Sequence, residues 1–184
     1  MKILIALMAP FLIASCAATP QRSSPAQGKI TSACTPQQIQ LTFDTADGEF
    51  NGMSHSGSYL VLTNTGTQAC TTPRRPQITW FDTNGTVIHA EPDTPKGMHP
   101  GPVLTPVTLA PGTSARSALR WVSGEVYDHN TCANVARGTV KLDHGEVSAP
   151  LQSRMCGDTT VGLRFEEPWL QPQESPVHGD VTKP

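Results

Sequence analysis

The chain has 184 residues, 37% hydrophobic, 15% charged and 5% aromatic, with 13 Lys and Arg against 15 Asp and Glu for a formal charge of −2. A slightly acidic chain without a basic cluster excludes nucleic acid as a partner class, because phosphate binding needs clustered Lys and Arg. With 17 prolines and 15 glycines in so lightly charged a sequence, the composition predicts a loop-rich, extracytoplasmic β protein and not a helical one.

The N-terminal segment is Met1-Lys2 followed by an almost wholly apolar run from Ile3 to Ile13, interrupted by Pro10. A membrane-spanning helix needs roughly 20 apolar residues, so this run has signal-peptide length and not spanning length. Its end, Leu12-Ile13-Ala14-Ser15-Cys16, resembles the lipobox of bacterial lipoproteins. The resemblance implies a diacylglyceryl thioether on Cys16, cleavage after Ser15 and acylation of the new amino end, giving a stable lipid anchor as the membrane partner. Ala17 stands where a retention signal favours Asp. By the same resemblance the protein belongs at the outer membrane, periplasmic face or surface, of a host that has one. Loss of Lys2 leaves 12 of the 13 basic residues against 15 acidic ones, so the mature chain stays acidic.

The predicted organisation is a lipoprotein signal over 1–15, a lipidated flexible tether over 16–33, one folded domain over 34–166 and a Pro-rich disordered tail over 167–184. Residues 17–33 lack apolar periodicity and have no reason to pack, and 167–184 read the same way. The roughly 133 residues between are enough to bury about two thirds of their surface.

Strand signals then follow in order. Ile39, Leu41 and Phe43 alternate with polar neighbours, as a half-buried strand does. Ser58–Thr63 is more fully apolar and ends at Asn64-Thr65-Gly66. Gln77–Asp82 leads through Asn84-Gly85, the strongest short hairpin signal, into Thr86–Ala90. Val103–Leu109 is broken by Pro106 and reads as an edge. Ala110-Pro111-Gly112 turns the chain into Ser114–Val122. Thr139–Leu142 and Glu146–Leu151 flank the turn at Asp143-His144-Gly145, and Thr160–Phe165 closes the domain. A short helical turn fits within Gly124–Val135. The pattern predicts a single antiparallel β-sandwich.

Beyond Cys16, the cysteines are Cys34, Cys70, Cys132 and Cys156. An even number in an oxidising compartment reads as two disulfides, and four cysteines allow three connectivities. Cys34 precedes the first strand and Cys70 follows the second, while Cys132 and Cys156 bracket the turn at His144. The layout therefore favours Cys34–Cys70 and Cys132–Cys156. No CxxC or CxxH spacing is present, so no structural metal and no cofactor is expected.

The run Leu60-Val61-Leu62-Thr63-Asn64-Thr65-Gly66 with Cys70, behind a cysteine ahead of the first strand, resembles a family of secreted bacterial lipoproteins known as domain of unknown function 4232. Further matches are Pro76 before an apolar strand, Asp82 with Gly85, Leu109-Ala110-Pro111-Gly112, and the late pair Cys132 and Cys156. The resemblance covers roughly Cys34 to Phe165 and implies an immunoglobulin-like sandwich. It carries over no functional residue.

Chemistry-bearing residues are few. The loop Asn51–Gly57 holds Met53 and His55, which with Met98 and His99 form a thioether and imidazole set of the kind copper favours. The plainer reading is a Gly-rich surface loop. Arg74-Arg75 between Pro73 and Pro76 reads as an exposed positive loop able to meet an acidic partner or simply to be solvated. His89, His129, His144 and His178 are scattered. Ser54 beside His55 is not a nucleophile and base arrangement, and no GxSxG, HExxH or phosphate-cradling loop occurs, so no enzyme is expected. Trp80 and Trp121 read as core, and Trp169 as a tail residue that docks on a partner or folds back. The leading expectation is a non-catalytic module that binds protein or glycan through its loops or a sheet face; the alternative is a periplasmic copper-binding protein.

Overall fold

The computed structural model describes residues 31–93, 103–167 and 169–173. Twelve strands follow in order: β1 (Ile39–Asp44), β2 (His55–Asn64), β3 (Cys70–Thr72), β4 (Gln77–Phe81), β5 (Val87–Ile88), β6 (Ala90–Asp93), β7 (Val107–Leu109), β8 (Ser114–Val122), β9 (Asn130–Leu142), β10 (Gly145–Asp158), β11 (Gly162–Glu166) and β12 (Gln171–Pro172). The fold is all-β. Hydrogen bonding runs β1-β2-β8-β11-β10-β9-β4-β5, with β12 beside β8 and β6 beside β11, while β3 and β7 form a separate two-stranded sheet. Every pairing is antiparallel except β6 with β11, which is parallel.

The long ladder folds over on itself, so that β1 packs across onto β10. Period-two patterning explains why. Side chains on alternate strand positions share a face, and in β8 the buried set is Ala115, Ser117, Leu119 and Trp121. Ile39 and Leu41 of β1, Leu60 and Leu62 of β2, and Val135, Val140 and Met155 of the β9–β10 hairpin complete the same core. At its centre Trp80 is fully buried. Its ring meets Phe43 and Phe165 at 5.5 Å and Trp121 at 6.4 Å. Gly138 makes room for this group, since a Cβ there would lie 2.5 Å from Phe43 and 2.7 Å from Trp80. Both tryptophans assigned to the core are there.

Both disulfides form as the strand layout favoured, Cys34–Cys70 and Cys132–Cys156. The first closes the open end of the β1–β2 hairpin, where Cys34 N also donates to Thr71 O at 2.9 Å. The second joins directly opposed residues of β9 and β10.

The structure corrects four readings. The helical turn proposed within Gly124–Val135 is absent, because β9 begins at Asn130. That hairpin is also much longer than its apolar stretches, with a register shift between Pro150 and Ser153. The strand expected over Thr86–Ala90 divides into β5 and β6, which pair with different partners. Finally, the fold does not end at Glu166. Glu167 is 4% exposed and Leu170 fully buried, and β12 pairs with β8, so residues expected in a disordered tail continue the layer. Residues 174–184 lie outside the described residues, as do Cys16 and the segments before residue 31. Among the described residues no helix is long and apolar enough to cross a membrane.

Candidate functional site

The register gives the domain two ends. At one end β2 begins and β8 finishes (His55 opposite Val122), and β9 begins where β10 finishes (Asn130 opposite Asp158). The other end holds Cys34–Cys70, the Ile39–Asn64 pair and the β12–β8 pairing at Pro172 and Ala115. The described chain therefore enters and leaves at the second end, and the first presents only loops.

The loop joining β1 to β2 is built from conformations its residues disfavour. Asp44 Oδ1 accepts from Ala46 N at 2.9 Å and starts a 3-10 turn over Ala46–Gly48. A two-residue hairpin follows, closed by Gly52 N to His55 O (3.1 Å) and His55 N to Gly52 O (2.9 Å). Its central residues, Met53 (φ 46°) and Ser54 (φ 64°), are both left-handed, a geometry that normally selects Asn-Gly. Ala46 and Asp47 are left-handed too, and these four are all such non-glycine residues among those described. Each costs of order 1 kcal/mol or more and persists only where neighbours over-determine it. The neighbours are visible: Ser54 O accepts from Ser123 N (2.8 Å) and Gly124 N (3.1 Å), and Ser56 Oγ donates to Ser123 Oγ (2.9 Å). A Cβ on Gly124 would stand 2.8 Å from Ser54, so the brace needs glycine there.

Met53, at the apex, is 96% exposed, and Val126 (51%), Tyr127 (39%) and Val161 (61%) stand at the same end. His55 Nδ1 lies 2.9 Å from Met53 O; a carbonyl only accepts, so Nδ1 is the donor in this contact. Beneath the turn a cleft of about 160 Å³ is lined by His55, Arg120, Trp121, Tyr127 and Arg164, with Arg164 Nε ion-paired to Asp93 Oδ1. A groove of about 350 Å³ on the other flank is polar, lined by Asn51, Ser56, Gln152 and Arg154. Trp121 Nε1 closes its floor by donating to Ser153 Oγ and Arg154 O, both at 3.1 Å.

With this geometry in view, comparison with known proteins bears on most of the fold. The family model described as domain of unknown function (DUF4232) matches residues 34–167. The chain belongs to that family. No curated protein and no solved structure matches it.

The DUF4232 domain does not bring the four candidate site residues together. Met53 and His55 share the strained turn, whereas Arg74 and Arg75 follow β3 and are not the exposed pair expected. Both are half-buried. Arg74 Nε donates to Thr105 O (2.9 Å) and its Nη1 to Leu170 O (3.4 Å), while Leu170 N donates to Arg74 O (2.8 Å). Arg75 Nη2 donates to Asp93 O (3.0 Å), with Nε 3.5 Å from Glu167 Oε2. These arginines clamp Glu167 and Leu170 onto the domain. Met98 and His99, needed for the copper set, lie outside the described residues, as does His178. Among the described residues no three His, Cys, Asp or Glu side chains gather as a metal site would require. His89, His129 and His144 are exposed.

Glu167, which sequence reasoning missed, is the chemically unusual residue of the DUF4232 domain. Burial pushes its carboxyl up to about 7, only partly opposed by Arg75, and among the described residues Oε1 has no hydrogen-bond partner. Nothing in Glu166-Glu167-Pro168 distinguishes the buried acid from its exposed neighbour.

Proposed function

We propose that this chain is a non-catalytic binding module of the bacterial envelope, an immunoglobulin-like domain held by lipid on Cys16 that presents its loop end to a protein partner. The observation that carries the reading is the concentration of left-handed, non-glycine backbone in one loop, at the end opposite the chain's entry and exit, with Met53 almost fully exposed at its tip. Strain of this kind clusters where a surface is kept for recognition and not for folding. The exposed Val126, Tyr127 and Val161 add apolar surface at the same end, the feature that supports a protein over a small solute.

Two experiments test the parts separately. Cys16→Ser removes the thiol that takes the lipid, and the variant is expected in the soluble fraction; membrane retention after that change would remove the anchor from the account. A photoreactive phenylalanine analogue at Tyr127, in the full lipidated protein in its own membrane, is expected to give a discrete cross-linked band. The same probe at His144, in the β9–β10 turn at the opposite end of the domain, is expected to give none. Equal labelling from both positions, or from neither, would overturn the loop-end reading.

A further inference from the structure

A second surface, independent of the loops, lies on the outer face of β2, β8 and β12. Tyr59 sits opposite Ala118, and Arg116 is flanked by Val61 on one side and Gln171 on the other. These residues alternate with the buried ones and so point outward. A groove of about 430 Å³ runs along β8 with Tyr59 on one wall and Trp169 on the other, both half-buried, across a floor at Ala118. Arg116 lies over the Tyr59 ring, its Cζ 4.3 Å from the centroid, while Phe50 meets Tyr59 edge-on at 4.8 Å. The stacking keeps the guanidinium at the groove, and among the described residues no carboxylate lines it.

We propose that this groove binds an acidic glycan, one pyranose ring lying on the Trp169 indole with its carboxylate on Arg116 and its hydroxyls on Gln171 and Gln173. Each feature has a matching demand. A pyranose offers a flat apolar face for an aromatic ring, a carboxylate suits a planar guanidinium, and glutamine amides both donate and accept, as hydroxyl recognition requires. An acidic peptide is disfavoured on structural grounds. An extended peptide gains its affinity by adding to a free strand edge, and β8 has none in the groove, being paired with β2 on one side and with β11 and β12 on the other. The inference goes beyond the loop-end reading and involves a different face, so either can fail alone.

The test is calorimetry on the full chain with three probes: a galacturonate oligomer, a neutral malto-oligomer of equal length, and poly-L-glutamate. Saturable galacturonate binding is expected, about tenfold tighter than the neutral sugar. Arg116→Gln is expected to erase that preference. Ala118→Leu, which fills the floor from the solvent side, is expected to abolish binding while melting like the parent; Trp169→Phe keeps a ring and is expected to retain it. Absence of saturable galacturonate binding, equal binding of poly-L-glutamate, or unchanged affinity in both Ala118→Leu and Arg116→Gln would overturn the proposal.

Discussion

Glu167 shows how a single position links the fold's edge to pH. Its carboxyl is buried and raised to about 7 from an ordinary 4.5, so the folded chain holds a proton that the unfolded chain has released over that interval. Stability is therefore fully present below about pH 4.5 and falls as pH rises to about 7, by about 3 kcal/mol if this group acts alone. Glu167→Gln keeps the shape without the charge and is expected to flatten that slope in urea unfolding measured between pH 4.5 and 7.5. An unchanged slope would move the effect to another group. Gly138 is the opposite case, a residue defined by what it lacks. Gly138→Ala drives a methyl into Phe43 and Trp80 and is expected to cost about 1–3 kcal/mol, as overpacking does; a variant as stable as the parent would mean the aromatic group is loosely packed.

At the scale of elements, the two disulfides close spans of 36 and 24 residues. In the chain-entropy model each contributes about 3–4 kcal/mol by restricting the unfolded chain. Reduction is thus expected to lower the melting temperature strongly, and removing either pair alone to lower it partway; no change on reduction would contradict the model. The elements easiest to read from sequence were those whose alternation is strict, β1 and β8, and those ended by turn chemistry, such as Asn84-Gly85. Much of the β9–β10 hairpin was not legible. Asn130–Asn134 is largely polar and nowhere fully buried, so pairing across Cys132–Cys156, and not amphipathic patterning, holds it in the sheet. β12 carries no strand signal at all, since Gln171-Pro172 enters the layer through Leu170 in the core and the Arg74–Arg75 clamp, contacts set by residues about a hundred positions away in sequence. For the site, the polar Gly- and Ser-rich loop around Met53 and His55 was visible, but its left-handed backbone was not, because Met and Ser give no such cue. The arginine pair misled for a related reason: composition marks charge, not the carbonyls that absorb it.

Over the described residues, chain entry and exit lie at one end and the strained loops at the other, so the proposed tether at the first would leave the second free for the proposed partner. Under the proposed function, recognition and stability pull against each other here, as they do where active surfaces keep backbone that folding alone would discard. Replacing Met53 and Ser54 by Asn and Gly supplies the turn with residues suited to it and is expected to stabilise the domain by about 1 kcal/mol or more. The most direct measurement of the central claim is cross-linking from Tyr127 in that Met53→Asn, Ser54→Gly protein, alongside its unfolding curve. The account predicts a more stable domain that has lost its cross-linked band; a more stable domain with the band intact would contradict it.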